Sequence, residues 1–292
     1  MWQPISRFIF EIVLISKYNI MSISVLFHGN CQSSHLRYVL NLDTTIFSIT
    51  NVVCWKTEVN ENEFLDYILN SDIIITQPIT DNFRDKYYLS SSYIVNNAKK
   101  TTKVIIFDSC YFEFYFDDKK HVNQKPCPYH YISMHDCYYQ NYSPEKYISD
   151  YVNNENLKTV EELEARANNS LIEMCERFHN ARNKYNGENV HIISIYDFVK
   201  ENYKKMPLFY TYNHPSKYLF QYISEQIIDH LQIDNSIDYQ SDPLSGLRCI
   251  MYKCIQKVVH FDINDYTPFL QNQTDILAIT KMYYDVYSEN VC

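Results

Sequence analysis

The sequence predicts an α/β fold: a mostly parallel sheet with flanking helices, and helical additions in the C-terminal half. Two observations carry the sheet. Short apolar segments alternate with segments of helical periodicity through the first hundred residues. Those apolar segments are continuous rather than polar on every second residue, as strands covered on both faces should be. A hydrophobic share of 46% over 292 residues then supplies enough material for a large core.

The elements follow in order. A strand over residues 23–28 runs into Gly29, and residues 33–42 carry Leu36, Val39 and Leu40 at helical spacing. A second strand falls within 46–55, a helix over 61–69, a third strand at Ile73, Ile74 and Ile75, a helix near 86–98 and a fourth strand over 104–107. Residues 109–142 break the rhythm. They are rich in Tyr, Phe, His and Pro, too long for an ordinary connection, and read as cover for a site. A long helix over about 160–184 stops short of Gly187, where a terminating glycine belongs. Residues 190–195 read as a strand, and 216–231 as an amphipathic helix with Leu219, Phe220, Ile223, Ile227 and Ile228 facing inward. No repeat or low-complexity linker divides the chain, so a single domain is expected over residues 21–292. Residues 1–20 read as an N-terminal extension, either an added helix or the product of an upstream start; their apolar stretch is too short and too interrupted to span a membrane.

Composition excludes several functions. A net charge of −9 argues against a nucleic-acid partner, which would need a basic face to displace phosphate counterions. Nine scattered cysteines do not form a compact disulfide framework, which points to a reducing, cytoplasmic setting. With 28 Tyr and 16 Phe against 3 Gly, rings must fill the interior and tyrosine hydroxyls must find partners there.

In an open parallel sheet, ligands gather beyond the carboxyl ends of the strands, and the loop Gly29, Asn30, Cys31, Gln32 occupies that place on the first strand. Cys31 would open the following helix, where free N–H groups and the macrodipole favour a thiolate, so it is the candidate nucleophile. Its bland alternative is a small buried residue that helps the turn pack. His214, held between Asn213 and Pro215, is the candidate general base: Pro215, placed at the first helical position, restricts the backbone before it, and imidazole titrates near neutrality. A lone histidine is more often a structural or surface residue. Asp108, at the end of the fourth strand, reads equally as a substrate contact or a turn cap.

Taken in order, Gly29-Asn30-Cys31-Gln32, Gln77-Pro78, the aromatic segment from 108 to 116 and Asn213-His214-Pro215 resemble the WcbI-type polysaccharide biosynthesis domain over roughly residues 22–265. The resemblance implies a coenzyme A-binding protein of polysaccharide synthesis that O-acetylates a sugar, with acetyl-coenzyme A as cosubstrate, a sugar or nucleotide-sugar as acceptor, and Cys31 and His214 at the motif positions. The chain departs from the family pattern at Asp117, Asp118, Lys119 and Lys120, which puts acceptor specificity in doubt. The chemistry implied is acyl transfer by one of two routes. Either Cys31 forms an acyl-enzyme that His214 helps resolve, or His214 acts on the acceptor while the Cys31 loop binds the carbonyl oxygen. In both, the N–H groups of Cys31 and Gln32, with the Asn30 side chain, stabilise the oxyanion. Arg37 and Lys217 are the candidate cations for coenzyme A phosphates.

Two other functions fit the same layout. One is an SGNH-like esterase with Cys31 in place of the usual serine, although Asn213 stands where such enzymes carry an Asp-x-x-His pattern. The other is a non-catalytic binding protein on the same fold. Cys127, His130, His135 and Cys137 have the residue types of a zinc site, but their spacing matches no common finger and no metal is expected.

Overall fold

The computed structural model describes residues 22–56, 58–116, 118–121, 129–268, 270 and 273–289; the extension at 1–20, Asp117 and Cys127 lie outside them. In chain order the principal elements are β1 (Ile23–Gly29), α1 (Cys31–Leu40), β2 (Phe47–Val53), α2 (Glu61–Leu69), β3 (Ile73–Thr76), α3 (Ser91–Asn97), β4 (Lys103–Phe107), β5 (Lys119–His121), β6 (Tyr129–Tyr131) and α4 (Ile132–Tyr139). There follow α5 (Pro144–Tyr147), α6 (Val160–Lys184), β7 (Val190–Ile193), α7 (Tyr196–Asn202), β8 (Phe209–Thr211), β9 (His214–Pro215), α8 (Lys217–Leu231) and α9 (Ile276–Glu289). Two compact units are formed. Residues up to Ser109, with Arg177–Ile195 and Phe220–Ser241, make the first; Cys110–Glu176, Tyr196–Leu219 and the residues from Asp242 onward make the second.

The first unit holds the five-stranded sheet, in the order β2-β1-β3-β4-β7 with every pairing parallel. Its central strands are apolar on both faces: Leu26, Phe27, Ile74, Ile75, Ile105 and Ile106 are fully buried, as the unbroken apolar runs require. Phe64 and Ile68 of α2 and Ile94 of α3 join the core on one face. With so few glycines, asparagine takes the left-handed positions, closing α1 at Asn41 with φ 46°. Beyond β1 the chain turns to β2 on one side and later to β3 on the other, so the carboxyl ends of β1 and β3 flank the switch point of the sheet, where such folds bind ligands.

The second unit is built on rings. Phe112 stacks on Phe209 with centroids 5.6 Å apart, Phe114 meets Tyr203 edge-on at 5.3 Å, and the Tyr115 hydroxyl donates to the Tyr203 carbonyl at 2.6 Å. The residues that break the sequence rhythm thus supply core side chains to this unit. They also contain α4, and α9 packs on α4 and α5.

Element boundaries differ from expectation where caps and turns decide them. Asn30 accepts from the Gln32 N–H, which starts α1 at Cys31 rather than at 33. Arg84 and Asp85 have positive φ and divert the chain through two 3-10 turns, so α3 begins only at Ser91, capped by Ser90. Pro215 is not at the first position of a helix. It pairs with Phe209 in β9, a short edge that tolerates its missing N–H, and α8 opens at Lys217. No helix among the described residues is long and apolar enough to cross a membrane.

Candidate functional site

Gly29 has φ +148° and is buried. A Cβ placed there would lie 2.8 Å from Gln77 Oε1 and 2.9 Å from Ser33 Cβ. Only glycine therefore lets the loop pass this close to both α1 and the end of β3. Gln77 clamps the loop from β3. Its Oε1 accepts from the Asn30 N–H at 3.2 Å, its Nε2 donates to Gln32 Oε1 at 2.5 Å, and its own carbonyl accepts from Ser91 Oγ at 2.6 Å. The sequence singled out Gln77-Pro78 only through the family resemblance; burial of both glutamine side chains makes Gln77 the hub of the loop. Gly29→Ala is expected to cost about 3 kcal/mol in urea denaturation, from backbone strain plus the clash. Gly246→Ala, with open space at its Cβ, supplies the neutral control.

Cys31 is half-buried, and burial pushes its thiol above its ordinary value; the N–H groups of Cys31 and Gln32 and the Lys56 cation pull it down by less. The helix terminus thus acts in the expected direction but loses to desolvation, and Cys31 is a thiol rather than a thiolate at neutral pH. Beside it, Cys54 donates its backbone N–H to the Gly29 carbonyl at 2.9 Å, and burial pushes its thiol to about 11. The Gln32 N–H, assigned to an oxyanion, is engaged with Asn30 Oδ1 at 2.8 Å, and Asn30 Oδ1 is thereby the helix cap.

Sequence reasoning missed the cations nearest these thiols. Lys56 lies over the exposed Trp55 ring at 4.7 Å, and Arg84 donates to the Trp55 carbonyl at 3.3 Å while acting electrostatically on Cys54. Their signal was position: Trp55 and Lys56 follow β2 directly, on the same rim as Gly29. Arg37 reaches the Tyr38 hydroxyl at 2.6 Å and lies 4.5 Å over its ring. Asp108, at the end of β4, accepts from the Ile195 N–H at 3.3 Å and feels Arg177 and Ser194; burial nevertheless raises its carboxyl to about 6. Two strand spacings, about 10 Å, separate β4 from β1.

His214 belongs to the second unit, as do Asn213 and Lys217. β8 and β9 hold it in a tight antiparallel return, Thr211 opposite His214. Tyr129, fully covered at the start of β6, places its hydroxyl 2.7 Å from Asn213 Oδ1 and 3.2 Å from His214 Nε2, with its ring edge-on to the imidazole. Tyr129 was not anticipated, because 85 residues of sequence separate it from His214. Lys217 extends over the Tyr218 ring at 5.6 Å.

Of the cysteines and histidines with zinc-ligand chemistry, His130 packs edge-on to Tyr283 and Tyr287, and His135 against Tyr139 and Tyr287. Cys137 is buried. Among the described residues no group of three or more His, Cys, Asp or Glu side chains is placed to hold a metal ion. Asp118 accepts from the Ser133 N–H and from the Tyr252 hydroxyl at 2.8 Å, which ties the start of β5 to α4.

No curated protein gives a significant sequence match. A solved structure of WcbI, a novel polysaccharide biosynthesis enzyme, as the native protein without a disulfide bond between coenzyme A and one of its cysteines, is similar in fold. Its TM-score is 0.72 at 18% identity, over 93% of this chain and 96% of that one. The family model for the polysaccharide biosynthesis enzyme WcbI matches residues 24–236, which include the Gly29 loop, Gln77, Asp108 and His214. The chain belongs to the WcbI family of polysaccharide biosynthesis enzymes.

Proposed function

We propose that this protein transfers an acyl group, acetyl in the simplest case, from coenzyme A to a hydroxyl of a sugar or nucleotide-sugar in the cytoplasm. The observation that carries the reading is the Gly29–Gln32 loop. It lies at the β1/β3 switch point, opens a ten-residue helix, and is held rigid by Gln77. A backbone that admits no Cβ at Gly29, followed by helix N–H groups, suits close approach of an acyl carbonyl. Coenzyme A, when bound, supplies the activated thioester. Lys56, Arg84 and Arg37 provide positive charge in the same unit for its phosphates, with Lys217 a further cation in the second unit.

The direct route is preferred over an acyl-enzyme. Cys31 carries its proton at neutral pH, so its side chain is a poor nucleophile until something removes that proton. We assign stabilisation of charge on the carbonyl oxygen to the Cys31 N–H and the amino group of the Asn30 carboxamide, the Gln32 N–H being held by Asn30 Oδ1, and removal of the acceptor-hydroxyl proton to His214. Asn213 and Asp108 are assigned to substrate binding.

Isothermal titration of the full chain with coenzyme A and acetyl-coenzyme A tests the reading. Micromolar binding, weakened at least tenfold in a Lys56→Ala, Arg84→Ala double variant, is the expected result. No binding at millimolar ligand would overturn it in favour of an esterase or a protein that binds some other ligand.

A further inference from the structure

Two thiols meet where β1 and β2 end. The strands pair in register as far as Gly29 and Val53, and the ladder runs one step further, the Cys54 N–H donating to the Gly29 carbonyl at 2.9 Å. Asn30 is still extended, with φ −91° and ψ −158°, so it continues the β1 path beside Cys54, one strand spacing of about 4.8 Å away. Cys31 follows it directly. A disulfide needs Cα atoms about 4.4–6.8 Å apart. The Cys54 end of that span lies on the turn after β2, closed by the Lys56 N–H to the Val53 carbonyl at 2.9 Å, and is the part that adjusts. Both cysteines are reduced and belong to the first unit. Cys31 acts electrostatically on Cys54, and each thiol has its own cation, Lys56 for Cys31 and Arg84 for Cys54. Cys31 is half-buried and Cys54 buried, so a reagent from solvent meets Cys31 first.

We propose that Cys31 and Cys54 form a paired thiol site, at which Cys31 takes a mixed disulfide from a low-molecular-weight disulfide and Cys54 resolves it into a Cys31–Cys54 bond. In the first step the Cys31 thiolate attacks one sulfur of the small disulfide; its S–S bond breaks, and one small thiolate leaves with the electron pair. In the second, Cys54 gives its proton to solvent and attacks Cys31 Sγ, and the second small thiolate leaves. Two protein thiols are oxidised by two electrons, and one disulfide is reduced to two thiols. Burial keeps both protein protons on at neutral pH, so exchange quickens as the pH rises. The bond ties the first residue of α1 to the turn after β2, across the loop that Gln77 clamps, and added thiol reverses it. None of this requires acyl transfer.

The test treats the reduced full chain with oxidised glutathione at about pH 8.5, where ordinary thiols ionise, then blocks remaining thiols and maps peptides by mass spectrometry without reductant. Expected in the parent is a Cys31–Cys54 cross-linked pair with little glutathione retained. Cys54→Ser should hold glutathione on Cys31 instead, at about tenfold the parent level or more, because the intramolecular route is gone. Cys31→Ser should leave Cys54 a thiol, since the reagent reaches it only through Cys31. A parent that keeps glutathione on Cys31 as the Cys54→Ser variant does, a Cys31 joined to some other cysteine, or no reaction at Cys31 would each overturn the proposal. Should Cys54→Ser fail to fold, Cys54→Ala removes the thiol without burying a hydroxyl and gives the same reading.

Discussion

Asp108→Asn is expected to lose about 3 kcal/mol of stability, relative to the parent protein, as the pH falls from about 6 to about 4. Burial holds the Asp108 carboxyl at about 6 against an ordinary 3.8, with the Ile195 N–H, Arg177 and Ser194 only partly restoring it. Between those values the folded chain keeps a proton that the unfolded chain has released. Stability from this group therefore rises as pH falls through the window and is lost as pH rises through it, by about 1.4 kcal/mol per pH unit. Asparagine still offers an oxygen to Ile195 but does not titrate, so the variant lacks the gain. His28 runs the opposite way. Fully buried in β1, it is lowered from 6.5 to about 3 by desolvation, and the unfolded chain binds the proton that the folded chain refuses. That costs about 5 kcal/mol between pH 6.5 and pH 3. In the parent the two groups nearly cancel down to about pH 4, and Asp108→Asn removes the counterweight. Urea denaturation across this pH range, on the parent, Asp108→Asn and His28→Gln, reads the slopes. His28→Gln, which keeps a donor toward Thr76, should gain on the parent by about 5 kcal/mol over the lower window. Parallel slopes for parent and Asp108→Asn would mean that Asp108 ionises as an ordinary surface carboxylate.

The same two residues mark what the sequence could and could not reveal. The sheet was legible because its central strands β1, β3 and β4 carry continuous apolar runs, and α2 and α6 because their helical patterns stand clear of capping ambiguity. The Gly29 loop was legible because a glycine after a buried strand has few other uses in a chain with only 3. What stayed hidden depends on contacts between residues far apart in sequence. Nothing local announces that Gln77 serves Asn30 and Gln32, that Tyr129 serves His214, or that His28 lies against Phe64 with Nδ1 at Thr76 Oγ1. Desolvation was equally invisible. The helix-terminus argument for a Cys31 thiolate had the right sign, but only burial shows which effect is larger. α4 was missed because this tyrosine-rich helix lacks the contrast between polar and apolar faces on which periodicity depends.

His214→Ala is expected to lower the turnover of acyl transfer by about 10²–10⁴-fold while leaving the coenzyme A dissociation constant unchanged, because a general base acts on the acceptor proton rather than on donor binding. Cys31→Ala separates the two routes. On the direct route its loss is about tenfold or less, since the thiol is protonated and the N–H groups that open α1 survive the substitution. The losses then multiply in the double variant, as they do for residues with separate tasks. On an acyl-enzyme route Cys31→Ala is as damaging as His214→Ala, and the double variant is no worse than either, because both serve one covalent step. Thiol release from acetyl-coenzyme A in the presence of a sugar acceptor measures all three. Near-equal losses in the singles and the double would move the acyl group onto Cys31, and would require a local base to remove the proton that burial otherwise keeps on its sulfur.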